Sequence, residues 1–185
     1  YRGTVLLIAL DSNAADGNYL DEATATLKSL NTSLRAQGLA QTGNNLFVVS
    51  GTDAQLTVNI TPLTELAVRQ AGVIGNNAST ASVAQTANAA IATAFGINGV
   101  EITGEVLPTN AAIFDATPGL SNAMRYGVLL AKLSGLDNLN GGSMATSLSQ
   151  LEVGINGTSL TTVAAKLVDA GRAQALANLK TSAAT

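Results

Sequence analysis

The segment Asn59–Gly72 constrains the fold of this chain more than any other. Thr61 can accept a hydrogen bond from a free backbone N–H as a helix N-cap, and Pro62 suits the first helical position because it has no N–H to leave unpaired. An apolar stripe at helical spacing follows, and Gly72 can end the helix in the left-handed conformation. Since strand and turn patterns precede this segment and helical patterns follow it, the structural class is predicted to change here.

The part of the chain before residue 60 contains short β-type runs. Thr4–Leu10 is continuously apolar and bounded by turn residues, which indicates a strand buried on both faces or lying against a partner. Turn residues separate the other predicted strands, which are Ala23–Leu27, Leu34–Ala36, Leu46–Ser50 and Gln55–Ile60. A helix from Asp21 through Leu30 is the alternative to the strand Ala23–Leu27, and the strand is favoured.

The part after residue 72 contains further apolar stripes at helical spacing. They predict helices from Ser79 or Ser82 to Phe95, from Thr117 to Gly135, from Ser143 through Leu151, and from Ser159 to Lys180. The predicted fold class is therefore α+β, with a small N-terminal antiparallel β-sheet or sandwich packed on a C-terminal bundle of four to five helices. We expect a β-rich subdomain at residues 1–60 and a helical subdomain at 61–185, together forming one compact unit.

Two short phrases recur in the helical half. Thr-Pro occurs at Thr61 and Thr117, and each is followed roughly 35 residues later by Gly-Ile-Asn-Gly, at Gly96–Gly99 and Gly154–Gly157. One interpretation is a duplicated helical hairpin, residues 61–99 and 117–157, with helix 159–180 added. The other is a chance match in a chain rich in Asn and Gly.

The composition excludes several classes of protein. With no Cys and no His, the chain lacks thiolate nucleophiles, disulfides and the commonest general base and metal ligand. Nine basic residues without a cluster and a net charge of −3 argue against nucleic-acid binding. No apolar run approaches the ~20 residues of a membrane span. Because the chain starts at Tyr1 without Met, we expect a mature product or a piece of a longer protein.

The segment from residue 11 to residue 22 has the oxygen-rich composition of a calcium loop. Calcium takes six to eight oxygen ligands, and a Gly permits the sharp turn between them. The spacing is not that of an EF-hand, and an ordinary turn between strands is the alternative. The candidate calcium ligands are Asp11, Asn13, Asp16, Asn18, Asp21 and Glu22.

A second pair of acidic residues is Glu101 and Glu105, four positions apart around Gly104. Such a pair can imitate the two carboxylates of a glycoside hydrolase. The favoured interpretation is that both lie on the solvent side of a short strand, Val100–Val106. No catalytic residues are therefore predicted, and no cofactor other than calcium.

Four segments carry a resemblance to known proteins: Tyr1–Val5, Asn18–Leu30, Leu34–Ala36 and Val58–Ala67. In these segments the chain resembles a module of very large bacterial cell-surface or secreted proteins, which behave as adhesins and often carry Ig-like or calcium-binding repeats. It implies extracellular or cell-surface display and a binding or structural role.

The predicted function is that of a non-enzymatic extracellular structural module that assembles with copies of itself. A strand near the terminus can add to a neighbour's sheet edge and form a filament if the geometry does not close. The alternative is an adhesin domain that binds a peptide or glycan with the help of calcium. The predicted assembly strand comprises Thr4, Val5, Leu6, Leu7, Ile8, Ala9 and Leu10.

Overall fold

A computed structural model describes residues 3–13, 16–17, 19–21, 26–40, 58–75, 77–107, 109 and 121–182. These residues contain strands and helices in the proportions of an α+β protein, which confirms the predicted class. The strands are β1 (Gly3–Ala9), β2 (Tyr19–Asp21), β3 (Thr26–Lys28), β4 (Leu34–Ala40), β5 (Ile155–Asn156) and β6 (Ser159–Leu160). The helices are α1 (Pro62–Gln70), α2 (Ala81–Ala94), α3 (Asn122–Leu139), α4 (Met144–Glu152) and α5 (Thr162–Ser182).

The chain divides into two compact units that are interleaved in sequence. The first unit comprises residues 1–9, 34–106 and 157–159, and the second comprises 10–33, 107–156 and 160–185. This division differs from the expected boundary at residue 60. The reason is that β1 pairs with β4, which packs on α1 and α2, whereas the β2–β3 pair belongs with α3, α4 and α5.

In the first unit, β1 and β4 form an antiparallel pair over their full length. Helix α1 begins as predicted, since the Thr61 hydroxyl accepts from the Thr64 N–H while the Thr64 hydroxyl accepts from the Thr61 N–H. Gly72 follows the helix with φ of +69°, as the left-handed cap requires. The core is built from aliphatic side chains of β4, α1, α2 and the following turns: Leu34, Ala36, Leu63, Leu66, Val68, Ile91, Ile97 and Ile102.

In the second unit, α3 packs along α5. A Cβ atom on Gly135 would overlap the carbonyl oxygen of Gly171, and one on Gly171 would overlap the carbonyl oxygen of Lys132. The prediction that the helix ends at Gly135 is therefore wrong. Gly135 lies inside α3, which continues to Leu139. Because Gly135 has no side chain, the backbones of α3 and α5 can approach each other there.

The start of each later helix tests the capping signals. Ser143 caps α4 as predicted, by accepting from the Thr146 N–H. The last helix starts later than predicted, at Thr162, because Ser159–Leu160 is a strand that pairs with Ile155–Asn156. The predicted start at Thr117 lies outside the described residues, and α3 is capped by Ser121.

The strand predictions are partly confirmed. Thr4–Leu10 forms β1, which ends at Ala9, and Leu34–Ala36 lies within β4. The helical alternative for Asp21–Leu30 is wrong where the segment is described, since Asp21 ends β2 and Thr26–Lys28 forms β3. The predicted strand Leu46–Ser50 lies outside the described residues, as do the first three residues of Gln55–Ile60, whose last three are not in a strand.

The two Gly-Ile-Asn-Gly motifs agree in conformation at their last glycines, Gly99 and Gly157, which have φ of +75° and +58°, but differ before them. Gly96 has φ of +72° and lies in a turn after α2. The corresponding Gly154 lies outside the positive-φ region and is packed against Ala164, with Ile155–Asn156 forming β5. The two motifs thus share a left-handed glycine at their end but not the structure that precedes it.

Candidate functional site

The predicted assembly strand, β1, is the more exposed of the two strands in the first unit's β1–β4 pair, within the described part of the chain. Every residue from Thr4 to Ala9 is partly exposed, and Leu10, just after the strand, is 74% exposed. β4 is more deeply buried, with Leu34, Ala36 and Gln37 all inaccessible or nearly so. Among the described residues the sheet has two strands, and β1 pairs with β4 alone. β1 is therefore an apolar strand that its own unit covers incompletely.

A buried ion-pair network holds β4 on α1. Glu65, which is 2% exposed, accepts from the main-chain N–H, Nε and Nη2 of Arg35 at 2.9, 3.0 and 2.8 Å. Its Oε1 also accepts from Nε of Arg69, one helical turn later, at 2.8 Å. Arg35 further donates to the carbonyl oxygens of Val73 and Gly75. The Glu65 carboxylate thus connects β4 to α1, and its partner Arg35 connects both to the loop after α1. These bonds hold β4, the strand with which β1 pairs.

Polar side chains also connect β4 to the start and middle of α2. Oε1 of Gln37 accepts from the Ser79 hydroxyl at 2.8 Å, and Asn88 Nδ2 donates to the Gln37 carbonyl oxygen at 3.1 Å. Gln37 Nε2 and Asn88 Oδ1 are buried and have no hydrogen-bond partner within the described residues. The β4 strand is thus supported on its helix side by both charged and neutral groups.

The candidate calcium ligands are only partly brought together. The Asp11 carboxylate accepts from the N–H groups of Asn13 and Leu30, at 2.8 and 3.0 Å, so it already closes a turn. Asp16 is exposed, and its N–H donates weakly to the Asn13 carbonyl oxygen at 3.4 Å. Asn18 and Glu22 lie outside the described residues. Across the described residues, no group of three acidic side chains converges in the way a metal site requires.

Asp21, the remaining candidate ligand, is 1% exposed and forms an ion pair with Lys28 on β3, with Nζ 2.9 Å from Oδ2. Nearby, Gly17 with φ of +64° donates its N–H to the Ser29 hydroxyl and packs against the Leu27 side chain. These contacts make Asp11 and Asp21 ties within the segment that carries β2 and β3.

The acidic pair Glu101 and Glu105 does not lie on a strand. Residues 101–104 form a turn closed by the Gly104 N–H and the Glu101 carbonyl oxygen, so the predicted strand Val100–Val106 is wrong. Burial raises the pKa of Glu101, while the Thr103 hydroxyl, which donates to it at 3.1 Å, lowers it. Glu105 is exposed. The Asn59 side chain and N–H tie this turn to the residues before α1.

One buried acid was not found from the sequence. Asp137, near the end of α3, is 2% exposed, and both its carboxylate oxygens lack a hydrogen-bond partner among the described residues. It lies close enough to Lys28 and Asp21 for their charges to act on it. The only signal in the sequence is an acid among the mainly apolar residues that precede Leu139. This signal does not distinguish a buried acid from one on the exposed face of the helix.

The comparisons with known proteins leave the resemblance to bacterial surface modules as a prediction. No family model, curated protein or solved structure matches the chain. The helices of the described ranges fall short of the combined length and hydropathy that a membrane-spanning helix needs.

Proposed function

We propose that the chain is a non-enzymatic structural module of an extracellular bacterial protein, and that it assembles with copies of itself through the β1–β4 pair. The observation that carries the proposal is the incomplete cover of β1, an apolar strand that is partly exposed from Thr4 to Ala9. An apolar strand edge is a template for pairing with another chain. The extracellular setting rests on the sequence resemblance.

The polymer geometry follows from which edges meet. Pairing of β1 with β1 of a second copy is symmetric and closes as a dimer. Pairing of the β1 edge with the β4 edge of the next copy is head-to-tail and continues as a filament unless the rotation closes a ring. We propose the symmetric form, because the outer edge of β4 is already occupied. The Arg35 N–H donates to Glu65 there, and the Gln37 carbonyl oxygen accepts from Asn88.

The test replaces an apolar β1 residue by a charged one. Leu6→Lys and Leu7→Lys alter opposite faces of the strand, since successive side chains alternate. Deleting the strand would be less informative, because it would also strip β4 of its partner. The matched control is Val163→Lys on α5, which adds the same charge at a side chain that is 70% exposed.

We expect light scattering after size exclusion to show a dimer of the parent chain. Both β1 variants should be monomers with unchanged helical circular dichroism, and Val163→Lys should assemble like the parent. A parent that is monomeric at all concentrations, or β1 variants that still associate, would overturn the proposal. Repeating the series in calcium and in EDTA tests the calcium-dependent alternative, for which the parent's thermal stability must rise with calcium.

A further inference from the structure

The region around Asp137 combines a buried acid with charged partners that are already engaged. Neither Asp137 oxygen has a hydrogen-bond partner among the described residues. The Ser147 hydroxyl of α4, which is close enough to lower the pKa of Asp137, is oriented toward the Ser143 carbonyl oxygen 3.3 Å away. Lys28, the nearby cation, forms an ion pair with Asp21 at 2.9 Å.

The protonation of Asp137 follows from these surroundings. Burial raises the pKa of Asp137, Lys28 and the Ser147 hydroxyl lower it, and the charge on Asp21 raises it, with a net increase. A buried carboxylate whose oxygens lack well-formed hydrogen bonds favours its neutral form, because ionisation would leave a poorly compensated charge in a poorly polarisable site. Burial and the charges of Asp137 and Asp21 also raise the pKa of Tyr19, so its hydroxyl stays protonated near neutral pH.

We infer that Asp137 is a proton-dependent latch for the β2–β3 pair of the second unit. With Asp137 neutral, the β2–β3 pair stays closed and the ion pair of Asp21 and Lys28 is kept. With Asp137 ionised, its charge repels that of Asp21 and competes for Lys28, so the β2–β3 pair opens more often. The charged groups that act on Asp137 are Lys28 of β3 and Asp21 of β2.

The sign of the pH effect follows from linkage. The pKa of Asp137 is higher in the closed state than in the open state, where it approaches the ordinary value of about 4. The closed state therefore binds the proton more tightly, and its added stability is present below about pH 4 and lost as the pH rises through the raised pKa. For each pH unit by which the pKa of Asp137 is raised in the closed state, the equilibrium constant for opening at high pH is about ten times larger.

The test is hydrogen exchange of the β2 and β3 amides from pH 4 to pH 9, corrected for the intrinsic exchange rates. Asp137→Asn is a neutral analogue of the protonated acid, and Asp169→Asn on α5 is the control, since Asp169 is 69% exposed. In the parent chain and the control, we expect opening to increase with pH, by about tenfold per unit of increased pKa. In Asp137→Asn, opening should be independent of pH.

Two results would overturn the inference. One is a parent chain whose β2–β3 amides open with the same pH dependence as those of Asp137→Asn. The other is a ¹³C titration of the parent chain in which the Asp137 carboxyl shows an ordinary pKa near 4. The titration needs no substitution, so the inference stays testable even if Asp137→Asn fails to fold.

Discussion

Glu65 of the first unit and Asp137 of the second are both deeply buried carboxylates, and they are surrounded in opposite ways. Glu65 in the first unit accepts from four donors of Arg35 and Arg69, whereas Asp137 in the second unit accepts from none of the described residues. Both residues are 2% exposed. Burial alone therefore does not decide the role of an acid. Because hydrogen-bond donors surround Glu65, its ionised form stabilises the first unit. Because Asp137 lacks such donors among the described residues, we expect its ionised form to destabilise the second unit.

The largest effect is expected from breaking the first unit's ion-pair network. Glu65→Gln would remove the carboxylate charge that binds the guanidinium groups of Arg35 and Arg69, whose side chains are 15% and 20% exposed. Removing one partner of a buried ion pair costs about 3–5 kcal/mol. We expect the free energy of unfolding in urea to fall by that amount. Glu105→Gln, at an exposed glutamate of the same unit, should change it by less than about 0.5 kcal/mol. Equal effects of the two substitutions would refute the comparison.

The next effect probes the contact between two helices of the second unit. Gly135→Ala would place a methyl group on the Gly171 carbonyl oxygen and push α3 away from α5. Overpacking of this kind costs about 1–3 kcal/mol, which here exceeds the gain of up to about 1 kcal/mol from the better helix propensity of Ala. The exposed Ala89→Gly on α2 measures that propensity difference directly. A stabilised Gly135→Ala protein would show that the helices are not in backbone contact.

Local signals predicted the fold where the cause of the structure is local. Thr61 and Pro62 set the start of α1, and Ser143 sets that of α4, because a cap depends on residues within one turn. Gly135 was misinterpreted as a helix end since a Gly in an apolar stripe indicates either a cap or a close contact. Its partner Gly171 lies on another helix, which periodicity does not reveal.

The candidate sites show the same limit. The acids of residues 11–22 are close in sequence, but Asp11 and Asp21 are engaged by Leu30 and Lys28, which follow later in the chain. Asp137 is separated from Asp21 by more than half of the chain, so spacing could not connect them. The division into two interleaved units was missed for the same reason, because the pairing of β1 with β4 rather than β2 is set by packing on α1 and α2.

The smallest effect is expected where an acid has a partner but no burial. Asp169 and Arg172 on α5 lie 3.9 Å apart, with side chains 69% and 58% exposed. Solvent screening and side-chain entropy leave such pairs worth about 0.2–0.5 kcal/mol. A double-mutant cycle of Asp169→Asn and Arg172→Ala, measured by urea unfolding, should give a coupling within that range. A coupling above about 1 kcal/mol would mean that an ion pair stabilises this protein strongly even when it is exposed. A coupling within the expected range would instead indicate that the stabilisation by Glu65 requires both its hydrogen-bond donors and its burial.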